Sequence, residues 1–529
     1  MSDESKNSTE SSARICELEK VIAAQQAEIT ELRQKLERMN EILLNADRAR
    51  FGRSSEKSEY VLPEQGSIFN EAEIEQDVKA AEPEPETVQV KAHDRKKKAT
   101  IDEKTADLPV KQIILELPED EQICDRCGEK LSMIGKKLAR RELLMIPAQL
   151  CVLELYTCTY ACHECEKDTG EGYIIETIAP KPLMKHSMAS PSTVANVMTR
   201  KYVDGLPLAR QEKMWKRQGI ELSRATMANW VIRCAEDWLK PIARRMKHHL
   251  LESSVIHADE TEVQVLKEPG KPAASESRMW VYVSGGRSEK QVRFFEYQPD
   301  RKGERPAAFL KDFAGCLVTD GYSGYNKVQG VTRCACWAHM RRKWREAMPE
   351  GATTKTSKAA VGYEYCSKLF SLERKFAEMS AEDRKMMRQL KAVPLLDAYW
   401  SWIEKLDAVP GSKLHDAVKY AKNQRAALDS FLEHGEVEIS NNAAENAIRP
   451  FVVGRKNWLF SDTVKGATAS SIVYTIVETA KANGVEPQAY LNELLSILPA
   501  LGKTPPNDEL DKLMPWHPVL RRMMTKKEQ

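Results

Sequence analysis

Three acids carry the first chemical suggestion. Asp259 lies in a strand-like run, SSVIHADETEVQVL, and Asp320 closes another, GCLVTD, just before the turn GYSGY. A carboxylate at the end of an apolar strand is costly unless it holds something, because the strand interior cannot solvate it. Adjacent strands would bring the two acids together, and like charges a few ångströms apart stay ionised only with a cation between them. Oxygen donors suit Mg2+ or Mn2+, and two such ions about 3.5–4 Å apart clamp the attacking and leaving oxygens of a phosphodiester. Glu445 is the candidate third acid. In NNAAENAIRP it shares a helix face with Asn441 and Arg449 at spacings of four, which would point Arg449 at a phosphate beside the carboxylate. Glu260 and Glu262 compete with Asp259, and alternation puts them on the opposite face of the strand. The period does not say which face is active. A lone acid of this kind is more often a cap or an ion-pair partner, so the case rests on the three together.

A second metal chemistry is written in cysteine. Twelve cysteines occur, and four of them form the pairs Cys124-x-x-Cys127 and Cys162-x-x-Cys165. Each pair lets two thiolates approach one ion, and four thiolates make a closed tetrahedral Zn2+ site. A β-hairpin over 137–160 would bring the pairs together across the 34 intervening residues. Cys158 and His163 are substitute ligands. A redox role is the weaker reading, because no strand-then-helix thioredoxin pattern surrounds either pair. The other cysteines are dilute, as buried thiols in a reducing compartment are.

These residues need elements to position them. Ile15, Leu18, Ile22, Gln25, Ile29, Leu32, Leu36, Met39 and Leu43 keep a 3-4 apolar repeat, the seam of a coiled coil, within a region taken as 1–60. A linker follows over 61–107. It is acidic between Glu64 and Glu86, with eight carboxylates against one lysine, then basic at Lys91 and Arg95 to Lys98. Short strands around the cysteine pairs define a zinc-binding region at 108–180. Residues 181–250 are helical, with Ser223 as an N-cap, and two helices joined through Gly219-Ile220-Glu221-Leu222 resemble a helix-turn-helix. An ordinary helical hairpin is at least as common. From 251 to 465 the order strand-strand-strand-helix-strand-helix predicts an α/β domain with a mixed sheet, interrupted by helices over about 355–435. A helical domain closes the chain at 466–529, where Gly484 signals a C-cap. The class is multidomain α/β.

Composition bounds the reading. The chain has 529 residues, 80 Lys+Arg, 78 Asp+Glu and a net charge of +2, with 42% hydrophobic residues. Such a chain builds real cores, and no apolar run approaches the ~18–20 residues of a membrane span. MSDESKNSTESSAR has no apolar stretch behind a basic start, so the expectation is a cytoplasmic protein. The neutral sum hides local segregation: acids of the linker offset basic clusters at 91–98 and at Arg341, Arg342, Lys343 and Arg345, the latter denser than a solvated face needs. Near-neutrality therefore does not argue against nucleic acid.

HADET, VTDGYSGY, CWAHMRRKW and NNAAENAIRPFVVGRKNWLF closely resemble the DDE transposase of the IS-sixty-six insertion-sequence family, TnpC type. RFGRSSEK, the paired C-x-x-C segment, KYVDGLPLARQEKMW, LSRATMANW, ETAKANG and LMPW follow in family order, so the resemblance spans most of the chain except the acidic linker. It implies a ribonuclease-H-like catalytic domain with a helical insertion, beside coiled-coil, zinc-finger and helix-turn-helix-like modules. It implies Asp259, Asp320 and Glu445 as the catalytic metal triad. Asn441, Asn442 and Arg449 would support the site or position substrate. His339, in CWAH, would sit near it, equally readable as a structural helix-start residue. The implied chemistry is nicking at terminal inverted repeats, then attack of the freed 3′-OH on target DNA. Both steps are in-line displacements that need no protein nucleophile. Cys124, Cys127, Cys162 and Cys165 would form a DNA-binding zinc finger. Expected partners are element ends and target DNA, a second copy through the coiled coil, and small accessory proteins of the same element, with no membrane. The rival reading is a domesticated transposase that regulates by binding without cutting. A structure-selective nuclease on the same fold is a third, and it would not need the N-terminal modules.

Overall fold

The computed structural model describes residues 20–22, 24–26, 28, 35, 39, 150–162, 173–349 and 351–527. The chain divides into two units, 1–54 with 155–529, and 55–154. Most of the expected coiled coil lies outside the described residues; of its seam, Ile22, Gln25 and Met39 are described, each helical and exposed. The linker, the basic run at 91–98, Cys124, Cys127 and Cys165 also lie outside them.

Strand β1 (Thr159–Cys162) pairs antiparallel with β2 (Tyr173–Glu176), Thr159 opposite Glu176 and Cys162 opposite Tyr173. The hairpin expected over 137–160 lies mostly outside the described residues; of it, 150–158 are irregular and 159–160 belong to β1.

Helices α1 (Pro191–Tyr202), α2 (Leu208–Arg217) and α3 (Arg224–Cys234) follow. Ser223 caps α3 by accepting from the Thr226 N–H at 3.1 Å, as its sequence position predicts. The α2–α3 turn passes through Gly219 at φ +87°, a conformation that favours glycine. Helix α3 buries Met227, Trp230, Val231 and Cys234, and continues through a π turn, Ala235–Leu239, into α4 (Lys240–Leu251).

The central sheet then assembles from β3 (Val255–Lys267), β4 (Glu276–Ser284), β5 (Arg293–Gln298), a helix α5 (Glu304–Phe309), β6 (Cys316–Thr319) and β7 (Thr332–Ala335). Its order is β5-β4-β3-β6-β7, antiparallel across β5, β4 and β3 and parallel across β3, β6 and β7. This is the mixed sheet that the element order predicts. Strand β6 is buried at every position, the continuous apolar run of a parallel strand covered on both faces. Alternate residues serve two cores: Ile256, Ala258 and Leu317 enter one, while Val255, Cys316, Val318 and Cys334 enter the other.

Helix α6 (Trp337–Ala347) leads into helices α7 (Lys358–Lys375), α8 (Ala381–Met387), α9 (Val393–Glu404) and α10 (Lys413–Asp429), with no strand among the described residues of this stretch. They build the second core around Trp337, Trp344, Tyr399 and Trp400. A fully buried Arg388 holds Glu373 and the carbonyls of Phe431, His434 and Val437, tying the exit of the insertion down. Helix α11 (Asn442–Trp458), strand β8 (Ser461–Thr463) against β3, and helices α12 (Val464–Ala482), α13 (Pro487–Leu501), α14 (Asn507–Lys512) and α15 (Pro518–Lys527) complete the chain. Gly484, at φ +67°, follows the α12 cap residue Asn483, as expected. Thr475 and Thr479 of α12 accept from the Phe295 and Arg293 N–H groups, at 2.9 and 3.0 Å, so a helix closes the β5 edge. The first core is continuous from Leu183 to Leu520, joining α1–α4, the sheet and α11–α15. Among the described residues no helix is long and apolar enough to cross a membrane.

Candidate active site

Strands β3 and β6 run parallel, with His257 opposite Val318. Two residues further, Asp259, within β3, and Asp320, just past the end of β6, stand at matching positions. Alternation puts both on the face of Val255 and Val318. Glu260 takes the other face, where Arg301 and Tyr325 Oη hold its carboxylate at 2.5 and 2.9 Å, and Glu262 pairs with Arg278 at 3.4 Å. Both glutamates are thus engaged by cationic or hydroxyl partners.

Asp259 Oδ1 accepts from the Glu260 N–H at 2.9 Å, and Asp320 Oδ1 from the Tyr322 N–H at 2.9 Å. The turn after Asp320 needs Gly321, since a Cβ there would meet the Tyr420 ring at 2.6 Å. Burial pushes the Asp259 carboxyl well above its ordinary range, and the negative charges of Glu260, Asp320 and Glu445 add to the rise. Both other sequence-selected acids thus act electrostatically on Asp259.

Glu445 lies in the first turn of α11, and Asn441 fixes where that turn begins. Its fully buried side chain donates to the Ala258 carbonyl at 2.9 Å and accepts from His257 Nδ1 at 3.3 Å; its N–H donates to Cys336 Sγ at 3.1 Å. The amide orientation assigns the His257 proton to Nδ1. His257 Nε2 faces Glu438 at 3.6 Å, and burial depresses the pKa of this histidine, with the Glu438 charge opposing the shift. Asn442, next along, is exposed.

His339 Nδ1 stands 3.8 Å from Glu445 Oε1, and neither atom has a hydrogen-bond partner among the described residues. Burial lowers the His339 pKa, with Glu445 opposing. Cys336, the cap residue of α6, completes a group in which thiol, imidazole and carboxylate atoms lie within 4.8 Å of one another. Arg342 faces Glu445 Oε2 at 3.7 Å.

Arg449, four residues after Glu445 on the same helix, lines a cavity of about 290 Å3 with Tyr202, Gly205, Asn446, Asn457 and Tyr474. The basic cluster on α6 is divided. Arg341 donates to Tyr363 Oη at 2.8 Å and stacks over the Tyr363 and Phe370 rings, so it packs the insertion. Arg342 alone of the four reaches the acids by an ion pair among the described residues. His257, Glu438 and Cys336 were not singled out from sequence as parts of this site. Their signal, adjacency to HADET, NNAAEN and CWAH, becomes specific only once the strands are paired.

Comparison with known proteins follows the same order along the chain. The family described as "Transposase IS66 family" matches residues 186–469, more than half of the chain. The "IS66 C-terminal element" matches 475–516, and the "zinc-finger binding domain of transposase IS66" matches 121–166, a span that includes all four paired cysteines. "Transposase C of IS166 homeodomain" matches 38–113, so the likeness extends through the acidic linker that the sequence reading set aside. Among curated relatives, the uncharacterized protein y4qI of Sinorhizobium fredii (strain NBRC 101917 / NGR234) is 30% identical over 421 residues, covering 76% of this chain and 75% of that one. The uncharacterized protein y4hP of the same strain is 27% identical over 432 residues, covering 78% and 75%.

Proposed function

Because the chain belongs to the IS66 transposase family, we propose that it is a DDE transposase, with Asp259, Asp320 and Glu445 as the catalytic acids of a ribonuclease-H-like domain. The observation that carries this is the convergence of three carboxylates from two parallel strands and a helix start, with Asp259 forced toward its neutral form by burial and its neighbours' charges. The fit to a hard divalent cation rests on the donors: the triad is all oxygen, and Glu445 Oε1 is buried without a hydrogen-bond partner among the described residues. Mg2+ or Mn2+ bound there would supply charge stabilisation for the attacking and leaving oxygens of a phosphodiester.

The chain's own residues do the rest. Asn441 holds the Glu445 helix against β3, and Gly321 keeps the Asp320 turn tight. Arg342, half-exposed beside Glu445, is the cation placed to meet a DNA phosphate, and Arg449 one turn on meets the strand at the neighbouring cavity. Asn442, exposed at the start of α11, is a further substrate contact. His339, with Nδ1 toward Glu445, orients that carboxylate. The reaction is nicking at terminal inverted repeats followed by 3′-OH attack on target DNA. Cys124, Cys127, Cys162 and Cys165 hold a structural Zn2+ in an end-binding finger, the α2–α3 pair and basic run 91–98 add DNA contacts, and the N-terminal repeat pairs two copies. The working complex assembles on DNA in the bacterial cytoplasm, with accessory proteins of the same element.

The test is a strand-nicking assay with purified protein, Mg2+ or Mn2+, a duplex bearing the element end and the element's accessory proteins. Wild type is expected to nick, and Asp320→Asn to bind the end with unchanged affinity while nicking at least about a hundredfold more slowly. Wild-type protein that binds but never nicks would make it a regulator instead.

A further inference from the structure

A second group of metal-ligand side chains lies away from the acids, at the opposite end of β6. Cys316 opens that strand and Asp320 follows its last residue, a separation of roughly 13 Å along an extended chain. Cys316 Sγ, His434 Nδ1 or Nε2 and a Glu436 carboxylate oxygen lie within 4.8 Å of one another. His434 Nδ1 is 3.7 Å from Glu436 Oε1. The Cys334 thiol, from β7, donates to the Thr332 carbonyl at 3.8 Å and lies beside that group of three, outside its 4.8 Å span. The sheet register explains this meeting: Cys316 pairs with Thr332 and Val318 with Cys334, so both cysteines share one face and stand diagonally.

We propose that Cys316, Cys334, His434 and Glu436 form a structural zinc site, distinct from the paired-cysteine finger and from the acidic triad. Two thiolates, one imidazole and one carboxylate make a four-donor set that suits tetrahedral Zn2+ and does not suit Mg2+. The two cysteines are buried and the other two donors half-exposed, giving a sulfur floor with an open approach for the ion. Tetrahedral ligand atoms stand about 3.5 Å apart, and the side chains of His434 and Glu436, on the solvent side, have the freedom to close the difference. Binding releases the two thiol protons to solvent and involves no change of oxidation state.

The site has a mechanical consequence. Residues 434–441 run along the sheet, with Glu436 beside Cys316, Glu438 beside His257 and Asn441 bonded to Ala258. A metal at the first of these contacts pins the exit of the helical insertion to β6 and β7. The same segment ends at the helix start that carries Glu445, so the ion anchors the path by which the third acid reaches the first two.

Elemental analysis of the full-length protein, purified without chelator, tests this. The expected content is about two zinc ions per chain, falling to about one in Cys316→Ser and in His434→Ala, and to about one in the Cys124→Ser/Cys162→Ser double variant. Cys316 belongs to the core and its variant can fail to fold. His434→Ala changes a half-exposed side chain whose backbone carbonyl keeps its bond to Arg388, and circular dichroism verifies its fold. In cobalt-substituted protein, Cys334→Ser is expected to lose part of the thiolate-to-cobalt absorption. One zinc per wild-type chain, unchanged zinc in His434→Ala, or a Cys316–Cys334 disulfide found by mass spectrometry would each overturn the site. None of these readouts uses DNA, so they stand or fall separately from the transposase reading.

Discussion

Asn441→Ala probes the joint between the two halves of the acidic site. Its amide is completely buried and serves two partners, the Ala258 carbonyl at 2.9 Å and His257 Nδ1 at 3.3 Å. Alanine keeps the backbone N–H that donates to Cys336 Sγ but leaves one buried acceptor and one buried donor facing nothing. Each unsatisfied group costs about 1–3 kcal/mol, so the expected loss from the two is about 2–6 kcal/mol, a large share of an ordinary folding free energy of about 5–15 kcal/mol. The assay is urea unfolding followed by tryptophan fluorescence, with wild type and variant compared at equal slope so that the midpoint reports stability. Nicking measured where both proteins are folded should fall about 10–100-fold, because the Glu445 turn loses the bond that fixes it on β3. A stability change under about 1 kcal/mol would refute the role given to the side chain. Normal stability loss with nicking kept within about twofold would refute the link from Asn441 to Glu445.

Other perturbations follow from the same geometry. Asp259→Asn should raise the unfolding midpoint of metal-free protein at neutral pH, since it removes a carboxylate whose ionisation is opposed by burial and by three other acids; it should also abolish any rise on adding Mg2+, both read by thermal melting. Burial depresses the His257 pKa below the ordinary value of about 6.5. The unfolded chain therefore takes up the proton first, and this residue's contribution to stability is present above about pH 6.5 and lost as pH falls toward the folded-state pKa. Urea midpoints measured between pH 7 and 5 should fall more steeply in wild type than in His257→Asn. Arg341→Ala should destabilise by about 1–2 kcal/mol through loss of the Tyr363 bond and ring stacking. Arg342→Ala, exposed on the same helix, should leave the urea midpoint unchanged while lowering nicking several-fold.

What the sequence determined by itself was chemistry and order. The acids at 259, 320 and 445, the paired cysteines and the strand-strand-strand-helix-strand-helix succession are local facts, because strand patterning, caps and metal-ligand spacing are properties of short stretches. Ser223 and Gly484 act where their local signals put them. Tertiary structure decided everything that depended on which strands became neighbours and which helices packed together. Parallel pairing of β3 with β6 set Asp259 at the position matching Asp320, while Glu260, on the other face, is held by Arg301 and Tyr325. Packing of α6 against α11 set Arg342, from a different element, beside Glu445. Packing of the insertion took Arg341 out of the basic cluster. It also brought His434 and Glu436 to Cys316, from residues more than a hundred positions apart whose spacing carries no metal signature. Period and composition report what a residue can do; only the pairing of distant segments in three dimensions selects its partner.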